Sequence, residues 1–192
     1  TCMLYTTHWD LLLTHGYHLT GVGSSDSHHP TLKGPWQLGH VRTWIYADAL
    51  SQPALLRGLK AGHAYVGIEG VRMDMHAACA GQSAMMGDIM LVPHGESFTV
   101  TMTMIDHPRG NLFLYSDGMQ LDVIYYDQPG TDTYTLTYPE SWIAKGGESY
   151  IRMEFHAVKE PPKFHGQAFR DYQSARLISN PIWFKRKENV SC

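Results

Sequence analysis

The feature that most constrains the fold is the run Ser97-Phe-Thr-Val-Thr-Met-Thr-Met104. Apolar and polar residues alternate strictly, which puts Phe98, Val100, Met102 and Met104 on one face of an extended chain. Such a segment is a strand with one face in a core and the other in water. It can be neither an amphipathic helix nor a buried parallel strand. The same texture recurs after Gly70. Val71–His76, Asn111–Tyr115, Val123–Tyr126, Thr133–Tyr138, Ser149–Phe155 and Ile182–Lys185 are short, rich in β-branched and aromatic residues, and separated by turns such as Ser116-Asp-Gly118 and Gln128-Pro-Gly130. About seven short strands at this spacing predict a mostly antiparallel β-sandwich over residues 71–192. The methionines at 73, 75, 85, 86, 102 and 104 follow the strand period and read as core filler.

Residues 1–70 have another texture. Leu4–Thr14 reads as a helix stopped by Gly16, and Tyr17–Val22 as a short strand. Pro30, Gly34, Pro35 and Gly39 mark a loop, and Val41–Tyr46 a strand. Ser51 caps a helix from Gln52 to about Ala61, with Leu55, Leu56 and Leu59 as its buried stripe and Gly62 at its end. His63–Gly67 is a further strand. Helix alternating with strand predicts a piece of an α/β layer or barrel, with a domain boundary near residues 68–72.

Composition narrows the function classes. The chain has 192 residues, 43% apolar and 17% charged, with a net charge of −3. That charge gives no reason to expect nucleic acid or an anionic membrane as partner, and no apolar run is long enough to span a bilayer. Cys2, Cys79 and Cys192 are odd in number and form no CxxC pair. They predict no disulfide framework. The chain begins at Thr1, in what reads as the middle of an element, so the expectation is that the N-terminus of a longer protein is missing. Of twelve histidines, His8, His15, His18, His28, His29 and His40 crowd into the first forty residues.

The chemistry-bearing stretch is Gly21-Val-Gly-Ser-Ser-Asp-Ser-His-His-Pro30. Asp26 and His28, two residues apart in an extended loop, point the same way and can share a metal ion. The plainer reading is a turn-capping aspartate beside a polar loop histidine. His29 is either a substrate contact or an exposed loop residue. Arg42 either holds an anionic substrate or closes a salt bridge at a strand end. No GxSxG elbow accompanies Ser24 or Ser25.

In order and spacing, Trp9–Gly16, Leu19–His28, Leu38–Trp44, Ser51–Leu59 and Gly62–Val66 resemble the final part of a PHP (polymerase and histidinol phosphatase) domain, in the branch that includes carbamate-hydrolysing enzymes. Gly81–Asp88 and Ser179-Asn-Pro-Ile182 resemble more loosely the β-sandwich appended to such domains, with Ser179 where Thr is usual. The resemblance implies the last βα units of a distorted β/α barrel followed by the sandwich. It implies a hydrolase of phosphoester, carbamate or amide bonds using metal-activated water, with zinc, manganese or iron held by Asp26 and His28. This chain would ligate the metal only in part, the rest of the site coming from a missing N-terminal part of the barrel. A small-molecule substrate is implied, and an oligomer is compatible with it. The alternative is a non-catalytic β-sandwich module that docks a carbohydrate or a subunit. Tyr125, Tyr126, Trp142 and Trp183 are its candidate contacts, unless those rings belong to the core.

Overall fold

The computed structural model describes residues 2–31, 37–68, 70–144, 147–158 and 175–187. The elements are α1 (Cys2–Thr14), β1 (Val41–Ile45), α2 (Gln52–Ala61), β2 (Ala64–Ile68), β3 (Arg72–Cys79), β4 (Gln82–Met85), β5 (Ile89–Val92), β6 (Ser97–His107), β7 (Gly110–Ser116), β8 (Met119–Tyr126), β9 (Gly130–Pro139), β10 (Glu148–Ala157), β11 (Ala175–Ser179) and β12 (Ile182–Arg186). A 3-10 turn follows β9 at Glu140–Trp142.

Two sheets make a sandwich. The smaller has four strands in the order β4-β3-β6-β9, all antiparallel. The larger has eight. Its path runs β1-β2-β11-β10-β12-β5, with β7 on the other side of β10 and β8 outside β7. The β11 and β12 strands lie end to end along one side of β10, with Glu154 facing Ile178 and Ile151 facing Ile182. Asn180-Pro181 fills the gap, and Pro181 has no N–H for a ladder. At this break the sheet changes neighbours: β11 pairs β2 antiparallel, whereas β12 pairs β5 in parallel.

The alternation in β6 does what its pattern requires. Phe98, Val100, Met102 and Met104 are fully buried in one core cluster with Met73 and Met75 of the neighbouring strand β3 and with Leu112, Leu114, Met153, Phe155 and Phe184 of the larger sheet. The methionines at 73, 75, 86, 102 and 104 are indeed core.

The first seventy residues correct the barrel expectation. The β1 and β2 strands flank α2, as in an α/β unit, but they pair antiparallel, with Trp44 opposite Tyr65. A β/α barrel needs that pairing parallel. Instead they extend the larger sandwich sheet through β11. The expected strand at Tyr17–Val22 joins no ladder, and the Leu19 N–H turns back to the Tyr17 carbonyl at 3.0 Å. Ser51 does cap α2 through the Ala54 N–H, and Gly62 ends it in the left-handed region at φ 77°. The buried face of α2 is Ala54 and Gly58, however, and Leu56 is exposed. The absence of a side chain at Gly58 lets the helix sit against the Tyr46 carbonyl. The loop residues Gly34 and Pro35 and the terminal Cys192 lie outside the described residues.

Candidate functional site

Where β1 meets the start of β3, the surface opens into a cleft of about 310 Å³ lined by Trp44, Ile45, Tyr46, Tyr65, Arg72, Met73, Asp74 and Ile105. Its walls follow from the register. Trp44 and Tyr65 are cross-strand partners on the inner face, and their rings stack with centroids 6.1 Å apart. Tyr46, just past the end of β1, lies 6.2 Å from Tyr65 at a tilted angle. Its hydroxyl donates to the Met73 carbonyl at 2.6 Å, which ties the larger sheet to the smaller. Burial pushes the Tyr46 hydroxyl pKa up, and the charge of Asp74 adds to that. Tyr46 therefore stays neutral and acts as a donor. Burial also raises the Tyr65 pKa.

The rim is polar. Asp74 lies 3.4 Å from the Tyr46 hydroxyl and 3.4 Å from His76 Nδ1. Arg72 donates to Asp106 at 3.0 Å, with both side chains more than half exposed. An ion pair that open to water is weak and can exchange partners at little cost. Aromatic walls with a few charged groups at the mouth are the usual make-up of a small-ligand site. The first signal lay in the run Arg42-Thr-Trp-Ile-Tyr46, which reads in sequence as a strand with Arg42 as its one candidate substrate contact. Its pairing with Tyr65, and its closure against Arg72–Asp74, depend on long-range contacts that no local pattern announces.

The sequence-derived site is elsewhere. Asp26 sits in the left-handed region at φ 50°, tolerable for aspartate. His28 Nε2 is 3.4 Å from Asp26 Oδ1, so the loop does bring the two together, with side chains 86% and 77% exposed, respectively. Among the described residues no group of three His, Cys, Asp or Glu side chains is placed to hold a metal ion. A metal at this pair would take its other ligands from elsewhere. His29 is engaged locally with Thr31, whose hydroxyl lies 2.9 Å from Nδ1. Arg42 lies in β1 and is not among the residues that line the cleft. Its Nε donates to the Gly39 carbonyl at 2.7 Å, and its guanidinium lies 5.8 Å from the Trp44 ring centre. Of the proposed aromatic contacts, Tyr125 is exposed, Trp183 is buried, and Tyr126 and Trp142 pack against the core.

No protein-family profile matches the chain, and no curated protein sequence does. Among solved structures, the crystal structure of the C-terminal domain of Wzt is similar, with a TM-score of 0.41 and 12% sequence identity over 66% of this chain and 78% of that one. A likeness of that size transfers neither a ligand nor an activity.

These findings overturn the PHP resemblance. The described chain is β-rich with only two α-helices, and its candidate barrel strands pair antiparallel inside a sandwich sheet. The hydrolase and phosphoesterase readings fall with it, as do the zinc and manganese that rested on it. The sandwich and its cleft fit a non-catalytic interaction module better than a hydrolase.

Proposed function

We propose that the chain is a non-catalytic β-sandwich binding module whose ligand is a carbohydrate held in the Trp44–Tyr46–Tyr65 cleft. The observation that carries this is the cleft itself, with aromatic walls and a charged rim on a rigid sheet. A sugar ring offers an apolar C–H face to Trp44 and Tyr46, which the buried Tyr65 backs, and hydroxyls to Asp74 and Arg72, so the two halves of the cleft match the two halves of the ligand. Arg42, over the outer part of Trp44, would read an anionic substituent if the sugar carries one.

Isothermal titration of the protein against a panel of soluble neutral and acidic oligosaccharides tests the reading. Saturable binding to at least one of them is expected, weakened about tenfold or more by Trp44→Ala. No binding across the panel, or binding that Trp44→Ala leaves intact, would rule the cleft out.

A further inference from the structure

The charged groups at the aromatic cleft are unequally matched. Arg72 and Asp106 hold each other at 3.0 Å. Arg42 does not line the cleft, and its Nε donates to the Gly39 carbonyl at 2.7 Å. Asp74 does line the cleft, and among the described residues no lysine or arginine pairs with it. Its polar contacts are the Tyr46 hydroxyl and His76 Nδ1, both at 3.4 Å. Charge-assisted hydrogen bonds close to about 2.7–2.9 Å, so neither contact satisfies the carboxylate. The Asp74 side chain is 44% exposed, which leaves it open to a partner from solvent.

The wall beside it has the same sign. The face of an aromatic ring carries partial negative charge and attracts cations. Trp44 already shows this, with the Arg42 guanidinium 5.8 Å from its ring centre. Tyr46 stands next to Asp74 and has no cation over its ring among the described residues. Burial raises the Tyr46 hydroxyl pKa first, and the Asp74 charge raises it further, so the negative potential reaches this wall. At Tyr65 burial again raises the pKa, but there Arg72 pulls it down while Asp74 pushes it up. The negative end of the cleft therefore lies between Tyr46 and Asp74.

We infer that the ligand places an ammonium group against Asp74 and the Tyr46 ring, so that the carbohydrate bound here is an amino sugar with a free amine. The inference rests on the saccharide reading of the cleft and narrows it. A hydroxyl can also donate to Asp74, but only a cation gains from both the carboxylate and the ring. A carboxylate in the same place would face a like charge. An N-acetylated amine would leave Asp74 without a charge partner. The rest of the sugar keeps its C–H face on Trp44 and its hydroxyls toward Arg72.

Isothermal titration with short oligomers of glucosamine, N-acetylglucosamine and glucose, all of the same linkage, separates these cases, because only one substituent per ring differs. In a buffer that keeps the amine protonated, the glucosamine oligomer is expected to bind about tenfold tighter than either of the others. That advantage is expected to shrink with added salt. It is expected to vanish in Asp74→Asn, which keeps the shape of the side chain and an acceptor for Tyr46. Equal affinities in the wild type, or a preference that Asp74→Asn leaves intact, overturns the inference while the saccharide reading stands. Tetramethylammonium chloride supplies the charge without the sugar. If it binds, with loss in Asp74→Asn, and no oligomer does, the ammonium site stands and the saccharide reading falls. Binding of neither overturns both.

Discussion

Arg152 is the largest fully buried side chain in the described residues, and its neighbours explain why a charge is tolerated there. On the outer face of β10 its Nε donates to Asp10 Oδ1 at 2.6 Å, a second donor meets Asp10 Oδ2, and Nη1 donates to Glu154 Oε1 at 2.6 Å. Tyr150 adds its hydroxyl to Asp10 at 2.9 Å, and His156 Nε2 lies 3.1 Å from Glu154. The guanidinium is also stacked over Tyr115, 4.4 Å from the ring centre. Burial works against the Arg152 charge, but the two carboxylates outweigh it and raise its pKa. For Glu154, burial raises the carboxyl pKa. The hydrogen bond from His156 and the charge of Arg152 more than reverse that, so the net shift is downward.

A carboxylate with a depressed folded-state pKa stabilises the fold above its unfolded pKa, about 4.3, and loses that contribution as pH falls through the folded value. Glu154→Gln is therefore expected to be destabilising at pH ~7, by about 3 kcal/mol for one partner removed from a buried pair. The deficit is expected to shrink steadily below pH ~4. Urea unfolding of both proteins from neutral to acid pH checks this, and a deficit independent of pH would assign the loss to packing instead. None of this network was visible in sequence. Arg152, Glu154 and His156 alternate along a strand that reads as having one polar, solvated face, and only the docking of α1 buries it.

At the scale of elements, what was legible and what was not divide along a physical line. The β6 strand was readable because its core face and its water face are both encoded within eight residues. The α2 helix was readable from Ser51 and Gly62, since capping is local chemistry. The short β4 and β5 strands, four residues each, hold too few side chains to show a period. The β11 strand is defined by its partners β10 and β2. Tyr17–Val22 shows the converse case, a sequence with strand propensity whose ladder partner is absent from the described residues. That propensity describes a fit to a pleated surface and cannot supply the neighbour.

Asn180 joins three of these elements. It is buried in the break between β11 and β12, bonds Gly21 through both side-chain atoms and donates to the Ala64 carbonyl at 2.7 Å. Asn180→Ala leaves the Gly21 N–H and carbonyl without their partners, and the Ala64 carbonyl with only the backbone N–H of residue 180 at 3.4 Å. It is expected to cost about 1–3 kcal/mol and to speed limited proteolysis between residues 17 and 26. Cleavage there at the wild-type rate would show that Thr43 and Trp9 alone hold the segment.

For the whole molecule, the sandwich was readable and the site was not. Residues 71–192 announce antiparallel strands, and the described residues among them form such strands, with β5 and β12 as a parallel pair. The chemistry of the loop Asp26–His28 is local, whereas the cleft is assembled from β1, β2, β3 and β6, which lie far apart in sequence. Trp44 and Tyr46 are an ordinary aromatic pair until Tyr65 stacks between them and Met73 accepts from Tyr46. The aromatic contacts foreseen on the sandwich meet the opposite fate, since Trp183 is core, Tyr126 and Trp142 are half-buried against the core, and Tyr125 alone of the four is exposed. A module of this kind acts by presenting a preformed surface, and the tie from Tyr46 to β3 keeps the cleft preformed.

The most direct test is a crystal structure of the protein with a saccharide that binds it in solution. Density for a sugar ring against Trp44 and Tyr46, with hydroxyls on Asp74 or Arg72, is the predicted result. A ring bound elsewhere, for example on exposed Tyr125, with the cleft holding only water, would contradict it.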